Sequence, residues 1–303
     1  MTRKLTLTHD YDDALEVRRG ATTLFRYVYQ PAMAQSESPK PYFHPVHDLA
    51  GNLVTIFRPY DHVWHKGIAM TIAHLEDQNF WGGGSYRHGQ GYIQLPNNGS
   101  QRHDAWDAID FDGESFQARE HLSWITQAGE HWLAEERQIG VPAIDADAGY
   151  WALDFGSSLT NVRGKVIEIG SPTTAGRVKA GYGGLFWRGP RSFLNGSVID
   201  SAGRQDDEVM GERAAWIAYS GRHDGSGDCS TLVFMDHPSS LRHPTQWFMR
   251  RDPFACAAFA WMFDEIYPLQ PGATIRLRHR IVIANGAWGA AEIAPLAEEW
   301  QKG

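Results

Sequence analysis

Alternation of apolar and polar residues at period two runs through most of the chain and constrains its fold more than any other feature. Leu5, Leu7, Leu15 and Val17 alternate with polar neighbours, Gly20 interrupts, and Leu24 to Tyr29 resumes the pattern. Further strand-like segments are read at 115–125, 131–139, 149–155, 162–169, 213–220, 230–236, 255–263 and 274–284. In the last of these, Ile275, Leu277, Ile281 and Ile283 share one face, and Arg276, Arg278 and Arg280 share the other. Successive strand residues point to opposite faces, so such a pattern needs a sheet with one side on a core. Only Trp288 to Trp300 has helical spacing, with Ile293, Leu296, Ala297 and Trp300 on one stripe. The expectation is an all-β chain, a large antiparallel β-sandwich with a short C-terminal helix. No repeat or linker divides it, so residues 1–303 are read as one domain.

Composition narrows the partners. The formal charge is −8, which gains no counterion release on a phosphate backbone, so no nucleic acid is expected. Two cysteines, Cys229 and Cys256, are too few for a disulfide scaffold and point to a reducing, cytoplasmic location. The N-terminal Met1 to Leu7 alternates at once and carries no apolar signal core. The longest nearly apolar stretch, Pro253 to Phe263, is about half of the roughly 20 residues a membrane helix needs, so no membrane partner is expected. No Gly-x-Ser-x-Gly elbow, P-loop or dinucleotide fingerprint occurs, which argues against a serine hydrolase, an NTPase and a dinucleotide-dependent dehydrogenase.

The chain holds 12 Trp, most of which must fill the core, leaving a few to stack on a ligand. Of 14 His, four fall close together: His44, His47, His62 and His65. They lie in Tyr42-Phe-His-Pro-Val-His47 and Arg58-Pro-Tyr-Asp-His-Val-Trp-His-Lys-Gly67. Histidine changes charge near neutral pH and serves as acid, base or metal ligand. His62 and His65 would face opposite ways on a regular strand; the Pro59-Tyr60-Asp61 entry favours an irregular turn on which they converge. Three readings stand: general acid and base, a metal site using His44, His62 and His65, or hydrogen bonds that hold loops.

Around the pair, Asp61, Trp64 and Lys66 are candidate binding residues. Trp81 and His88 join them from the Gly-rich segment 81–99, a long irregular stretch of the kind that carries function. A second Gly-rich patch, 181–191, offers Trp187 as a stacking ring and Arg188 as a bidentate oxyanion binder. Glu135 on a predicted strand would need a partner if it faced inward, and Asp264 ends an apolar run; either is a candidate carboxylate.

The strings Tyr42-Phe-His-Pro45, Pro59 to Gly67, Asn79-Phe-Trp81, Asp236-His-Pro238, His243-Pro244, Leu269-Gln-Pro-Gly272 and Leu277-Arg-His-Arg280 together resemble the bacterial proteins labelled "PmoA family", in order and over nearly the whole chain. A methane monooxygenase subunit needs several membrane spans, which this chain lacks, so the resemblance implies a fold rather than that activity. The fold it implies is the galactose-mutarotase-like β-supersandwich, whose members bind sugars in a cleft. Epimerases of that superfamily use His and a carboxylate; their late Glu motif has no obvious match here. The family is expected beside sugar oxidoreductases, which suits a step on an oxidised (keto) sugar.

The leading expectation is therefore a carbohydrate-active enzyme. His62 and His65 act as acid and base, and His44, Asp61, Trp64, Lys66, Trp81, His88, Trp187 and Arg188 shape the pocket. Isomerisation, elimination and hydrolysis stay open as the reaction. A non-catalytic sugar-binding protein and a metal-dependent enzyme remain as alternatives. The ligand is a small sugar, the sequence names no cofactor, and a homo-oligomer is compatible with it.

Overall fold

A computed structural model describes residues 4–142 and 144–303; residues 1–3, where the N-terminal reading begins, lie outside it. Two large antiparallel sheets carry the architecture. The eight-stranded sheet runs in the order Leu5–Asp10, Ala14–Arg19, Thr22–Val28, Tyr42–Val46, Ile68–Thr71, Gly184–Arg188, Cys256–Phe259 and Trp247–Arg250. The nine-stranded sheet runs Ser197–Asp200, Trp216–Arg222, Cys229–Asp236, Thr274–Asn285, Tyr150–Asn161, His131–Val141, Phe116–Ile125 and Ser100–Phe111, with Ile144–Asp145 pairing beside Tyr150–Asn161.

The inner faces of the two sheets interlock through aromatic rings. Phe25 meets Phe116 and Trp151 at 5.9 and 6.1 Å, and Trp187 meets Phe234 at 5.5 Å. The inward-facing Glu135 does find partners: Trp124 Nε1, Ser157 Oγ and the Arg137 guanidinium all donate to it. This carboxylate is fully satisfied within the core, as a buried charge must be.

The C-terminal helix, Ala290–Lys302, buries Ile293, Ala297 and Trp300. It covers the outer face of the nine-stranded sheet, beside Trp216, Val233 and Val282. Arg278 and Arg280 flank the Trp300 ring at 4.5 and 4.3 Å, so two members of the arginine face of strand Thr274–Asn285 are roofed by that helix.

Two strands are shorter than the alternation predicts. Residues 162–166 form a turn because Asn161 accepts from the Arg163 N–H and donates to Lys165 O, and strand pairing begins only at Ile167–Gly170. The run 255–263 pairs only over Cys256–Phe259; beyond it the Phe263 N–H turns back to Ala260 O.

The edge of the eight-stranded sheet positions the site. In strands Gly184–Arg188, Cys256–Phe259 and Trp247–Arg250, the odd-numbered Leu185, Trp187, Ala257, Phe259, Trp247 and Met249 enter the main core. The even-numbered Phe186, Cys256, Ala258 and Phe248 face outward into a second apolar cluster with Trp81, Tyr182 and Phe263. Ala258 pairs with Phe186 on one side and Phe248 on the other. A small residue between two large rings leaves a hollow in the outer face of the sheet.

Candidate functional site

Over that hollow lies a cavity of about 360 Å³, within the range of roughly 300–1,000 Å³ that accommodates small molecules. Its walls are His62, Trp64, His65, Trp81, Gly82, Gly84, Tyr92, Arg177, Tyr182, Phe186, Phe248, Arg250, Pro253 and Phe254. Phe186 and Phe248 come from the sheet, Arg250 from the end of one of its strands, Tyr92 from the short strand Gly91–Ile93, and the other side chains from connecting loops.

The loop carrying both histidines is pinned at its base, where Phe57 and Lys66 form an isolated bridge and the Arg58 N–H donates to His65 O at 2.9 Å. Between them, His62 N–H reaches Pro59 O at 3.0 Å and His65 N–H reaches His62 O at 2.9 Å. These successive turns defeat the strand parity and bring the two imidazoles together, stacked with centroids 4.7 Å apart and planes 15° from parallel.

Hydrogen bonds assign the tautomers. A guanidinium can only donate. Arg188 donates to His65 Nδ1 at 2.8 Å, so that nitrogen is the acceptor and the proton of neutral His65 sits on Nε2. His65 Nε2 is buried and has no partner within the protein. An ionised carboxylate can only accept, so at 2.9 Å Asp61 Oδ2 accepts a hydrogen bond from His62 Nδ1–H. The lone pair of neutral His62 is therefore on Nε2. The same Asp61 carboxylate accepts from Arg188 at 2.8 Å and from Arg191 at 3.0 Å. Trp64 Nε1 is a second buried donor with no acceptor.

The charges follow this network. Burial drives His65 well below the ordinary histidine value, with His62 and Arg188 adding to the effect, so it is neutral. Burial also lowers His62, against the opposing pull of Asp61. Burial pushes Asp61 upward, but its bonds to Arg188 and His62 outweigh that and hold it well below the usual carboxylate range. Asp61 stays ionised.

Of the residues singled out in the sequence, His62, His65, Trp64 and Trp81 line the cavity. Asp61 and Arg188 sit behind the imidazoles and hold them. Trp81 stands edge-on to His65 at 5.2 Å and against Tyr182 at 4.4 Å. The others are elsewhere. The Trp187 ring is in the sandwich core, its Nε1 donating to Val54 O. Lys66 is buried against Glu37, which also binds Arg58. His44 bonds Thr55 Oγ1 at 2.9 Å and stacks on Phe57, away from the imidazole pair. His88 is exposed in the turn between the short strands Ser85–Arg87 and Gly91–Ile93. His44, His62 and His65 are thus not gathered into one ligand set. Among the described residues, no three His, Cys, Asp or Glu side chains are grouped to hold a metal ion. No helix among those residues is long and apolar enough to cross a membrane.

Sequence reasoning did not select Tyr92, Arg177, Tyr182, Phe186, Phe248, Arg250 or Phe254. Tyr182 and Phe186 lie inside the noted Gly-rich patch, and the parity of its strand was the signal that separates Phe186 from Trp187. Tyr92 lies in the other noted Gly-rich segment, 81–99, whereas Arg177, Phe248, Arg250 and Phe254 arrive from segments that carry no motif.

A family model described as a family of unknown function (DUF6807) matches residues 14–298. Comparison with curated proteins finds no match. Among solved structures, the alpha-galactosidase from Lactobacillus brevis aligns with a TM-score of 0.40 and 11% identity, over 95% of this chain and 40% of its own. A GH36 alpha-galactosidase from Geobacillus stearothermophilus, in complex with raffinose, aligns with a TM-score of 0.38 and 10% identity, over 94% and 41%. This chain therefore spans about two fifths of each of those proteins.

Proposed function

The chain belongs to the DUF6807 family, a family of unknown function, and we propose that it is an enzyme moving a proton at a carbon beside the carbonyl of a sugar or keto-sugar. One observation carries this reading. Two stacked imidazoles at one cavity wall have opposite tautomers, one offering a lone pair and the other a proton.

In the proposed step, His62 Nε2 takes a proton from the carbon next to the carbonyl. The C–H electron pair becomes the C=C of an enolate, and the carbonyl π pair moves onto oxygen. His65 Nε2–H donates to that oxygen as its charge develops. A neutral imidazole suits this task, because it stabilises the oxyanion without being acidic enough to be lost at working pH. On an α-hydroxy carbonyl the proton held on His62 is then delivered to the former carbonyl carbon, while the proton of the adjacent hydroxyl passes to the former carbonyl oxygen, giving the aldose–ketose isomer; alternatively it protonates an oxygen that leaves from the next carbon, giving elimination. Trp64 Nε1–H supplies a further donor for a hydroxyl or carbonyl oxygen, and the aromatic walls suit the C–H face of a sugar ring.

Hydrolysis by two paired carboxylates does not suit this cavity, whose described walls hold neither Asp nor Glu. The same lack of an acid supports one second reading, a sugar-binding protein without turnover.

The experiment is solvent-deuterium exchange followed by NMR on a panel of aldoses, ketoses and keto-sugars. The expected result is deuterium entering only the position beside the carbonyl. His62→Gln should abolish it, and His65→Ala should slow it by about 10²-fold, the usual worth of a well-placed oxyanion donor. A folded double variant that still binds sugar, from a wild-type protein that never exchanges, would establish the binding reading instead.

A further inference from the structure

The cavity wall carries positive charge with no acid to neutralise it. Arg250 ends the strand Trp247–Arg250 and, two residues beyond Phe248, shares its outward face. It lines the cavity and, among the described residues, makes neither a salt bridge nor a side-chain hydrogen bond to a carboxylate or carbonyl. Its guanidinium lies 5.4 Å from the Phe248 ring centre. Arg177 lines the same cavity, and its side-chain partner is the Tyr92 hydroxyl, itself bonded to Tyr182 Oη at 2.9 Å. The guanidinium groups most deeply enclosed elsewhere have carboxylate partners, Arg137 with Glu135, Arg188 with Asp61 and Arg280 with Asp154, while half-buried Arg278 meets His237 Nε2 and the Trp300 ring instead.

The sequence pointed to Arg188 as the oxyanion binder. The structure gives Arg188 to Asp61 and His65 and leaves Arg250 and Arg177, neither of them paired with a carboxylate, for that work. Guanidinium groups held at an aromatic wall, partly out of water and without counter-charge, are electrostatically unfavourable unless a ligand brings the anion. We infer that the ligand of this cavity carries an anionic oxygen group, a carboxylate or a phosphate, bound by Arg250 and Arg177. The rest of the ligand then lies on the aromatic surface, within reach of His62 and His65. This inference rests on the cavity being the ligand site, as in the function proposed above. It adds a substrate class: sugar acids or sugar phosphates rather than neutral sugars.

Isothermal titration tests it with D-glucuronate, D-galacturonate, D-gluconate and D-glucose 6-phosphate against neutral D-glucose and D-galactose. At least one anionic sugar is expected to bind about tenfold or more tightly than its neutral counterpart. Arg250→Gln should remove about tenfold or more of that affinity, the worth of a charge-assisted contact. Arg250→Lys, which keeps the charge, should retain more, and Arg177→Gln should also weaken binding. The order of sugar acids and sugar phosphate identifies the group. Equal or tighter binding of the neutral sugars, no detectable binding of any anionic sugar, or unchanged affinity in a folded Arg250→Gln protein overturns the inference. His62→Gln separates the two readings. It should keep anion binding while losing deuterium exchange, so arginine-dependent binding without exchange in the wild type would sink the proton-transfer step alone.

Discussion

Replacing Asp61 with asparagine tests the tautomer assignment most directly. The carboxylate accepts from three donors: His62 Nδ1 at 2.9 Å, Arg188 at 2.8 Å and Arg191 at 3.0 Å. In Asp61→Asn one of its two oxygens becomes an NH2 group, which sets donor against donor whichever way the amide turns. The Arg188 side chain is 1% exposed and loses its counter-charge, whereas Arg191 is 49% exposed and loses little. Asp61 itself is a quarter exposed, so the low end of the buried-pair range applies, and the expected loss of stability is about 2 kcal/mol. Turnover should fall further than stability, by about 10²–10⁴-fold, because His62 is released to put its proton on Nε2, where the base needs a lone pair. Both effects of Asp61 on His62 raise its pKa, so their loss moves the acid limb of the pH–rate profile to lower pH while the plateau drops. The assays are deuterium exchange against pH, ¹⁵N NMR of the imidazoles and urea denaturation. A folded Asp61→Asn protein with wild-type exchange and an unmoved acid limb would refute the reasoning.

Two further outcomes are expected. Gly82 has φ +109°, and a Cβ there would come within 2.6 Å of Glu37 O and Trp64 Cβ; Gly82→Ala should therefore cost about 2 kcal/mol or more in a denaturant titration and raise KM by displacing the Trp64 wall. Burial holds His44 and His74 down at about 4, below their ordinary value of 6.5. Between those values the unfolded chain binds more protons than the folded one, so stability should fall as pH drops from about 6.5 towards 4, by up to about 1 kcal/mol per pH unit for each such group. Asp236, held at about 2 by its histidine neighbours despite burial, extends the loss below the ordinary carboxylate value. Thermal melts across pH 3–8 check this, and a melting temperature that stays flat between pH 6.5 and 4 would contradict it.

The sheets were legible because a half-buried strand imprints its period on the sequence, and Thr274–Asn285 and Ala290–Lys302 lie close to where the alternation and the helical stripe put them. The histidine pair was legible for a different reason: a Pro-Tyr-Asp entry makes a turn, and a turn lets residues three apart converge. What failed was parity. Trp187 was the natural choice in its patch because it is the larger ring, yet on strand Gly184–Arg188 it faces the core while Phe186 faces the cavity. A shift of one residue exchanges the two faces of a strand, and composition cannot say which is inside. Lys66 misled in the same way: its neighbours belong to the site, but its own side chain is taken by Glu37. Arg177, Arg250 and Phe254 converge only through the long-range pairing of the eight-stranded sheet and the loops above it, which no local signal records.

Two identical side chains, three residues apart, are given opposite chemistry by what touches one nitrogen of each. A carboxylate at Nδ1 makes His62 a lone-pair bearer towards the cavity, and a guanidinium at Nδ1 makes His65 a proton bearer. Arg188 joins the two assignments, because one of its nitrogens meets Asp61 and the other meets His65. The arrangement is self-reinforcing. The positive guanidinium and the burial that keep His65 neutral also preserve it as a donor, since a protonated His65 would have no acceptor at Nδ1 to offer Arg188. His62 is one third exposed, which leaves it open to exchange a proton with solvent or ligand, whereas His65 is 3% exposed and faces only the cavity that it lines. A site meant only to hold loops together needs neither an orphaned donor nor a solvent-accessible lone pair beside it. That pairing of features, rather than the number of histidines, is what favours proton transfer over a structural role for the cluster.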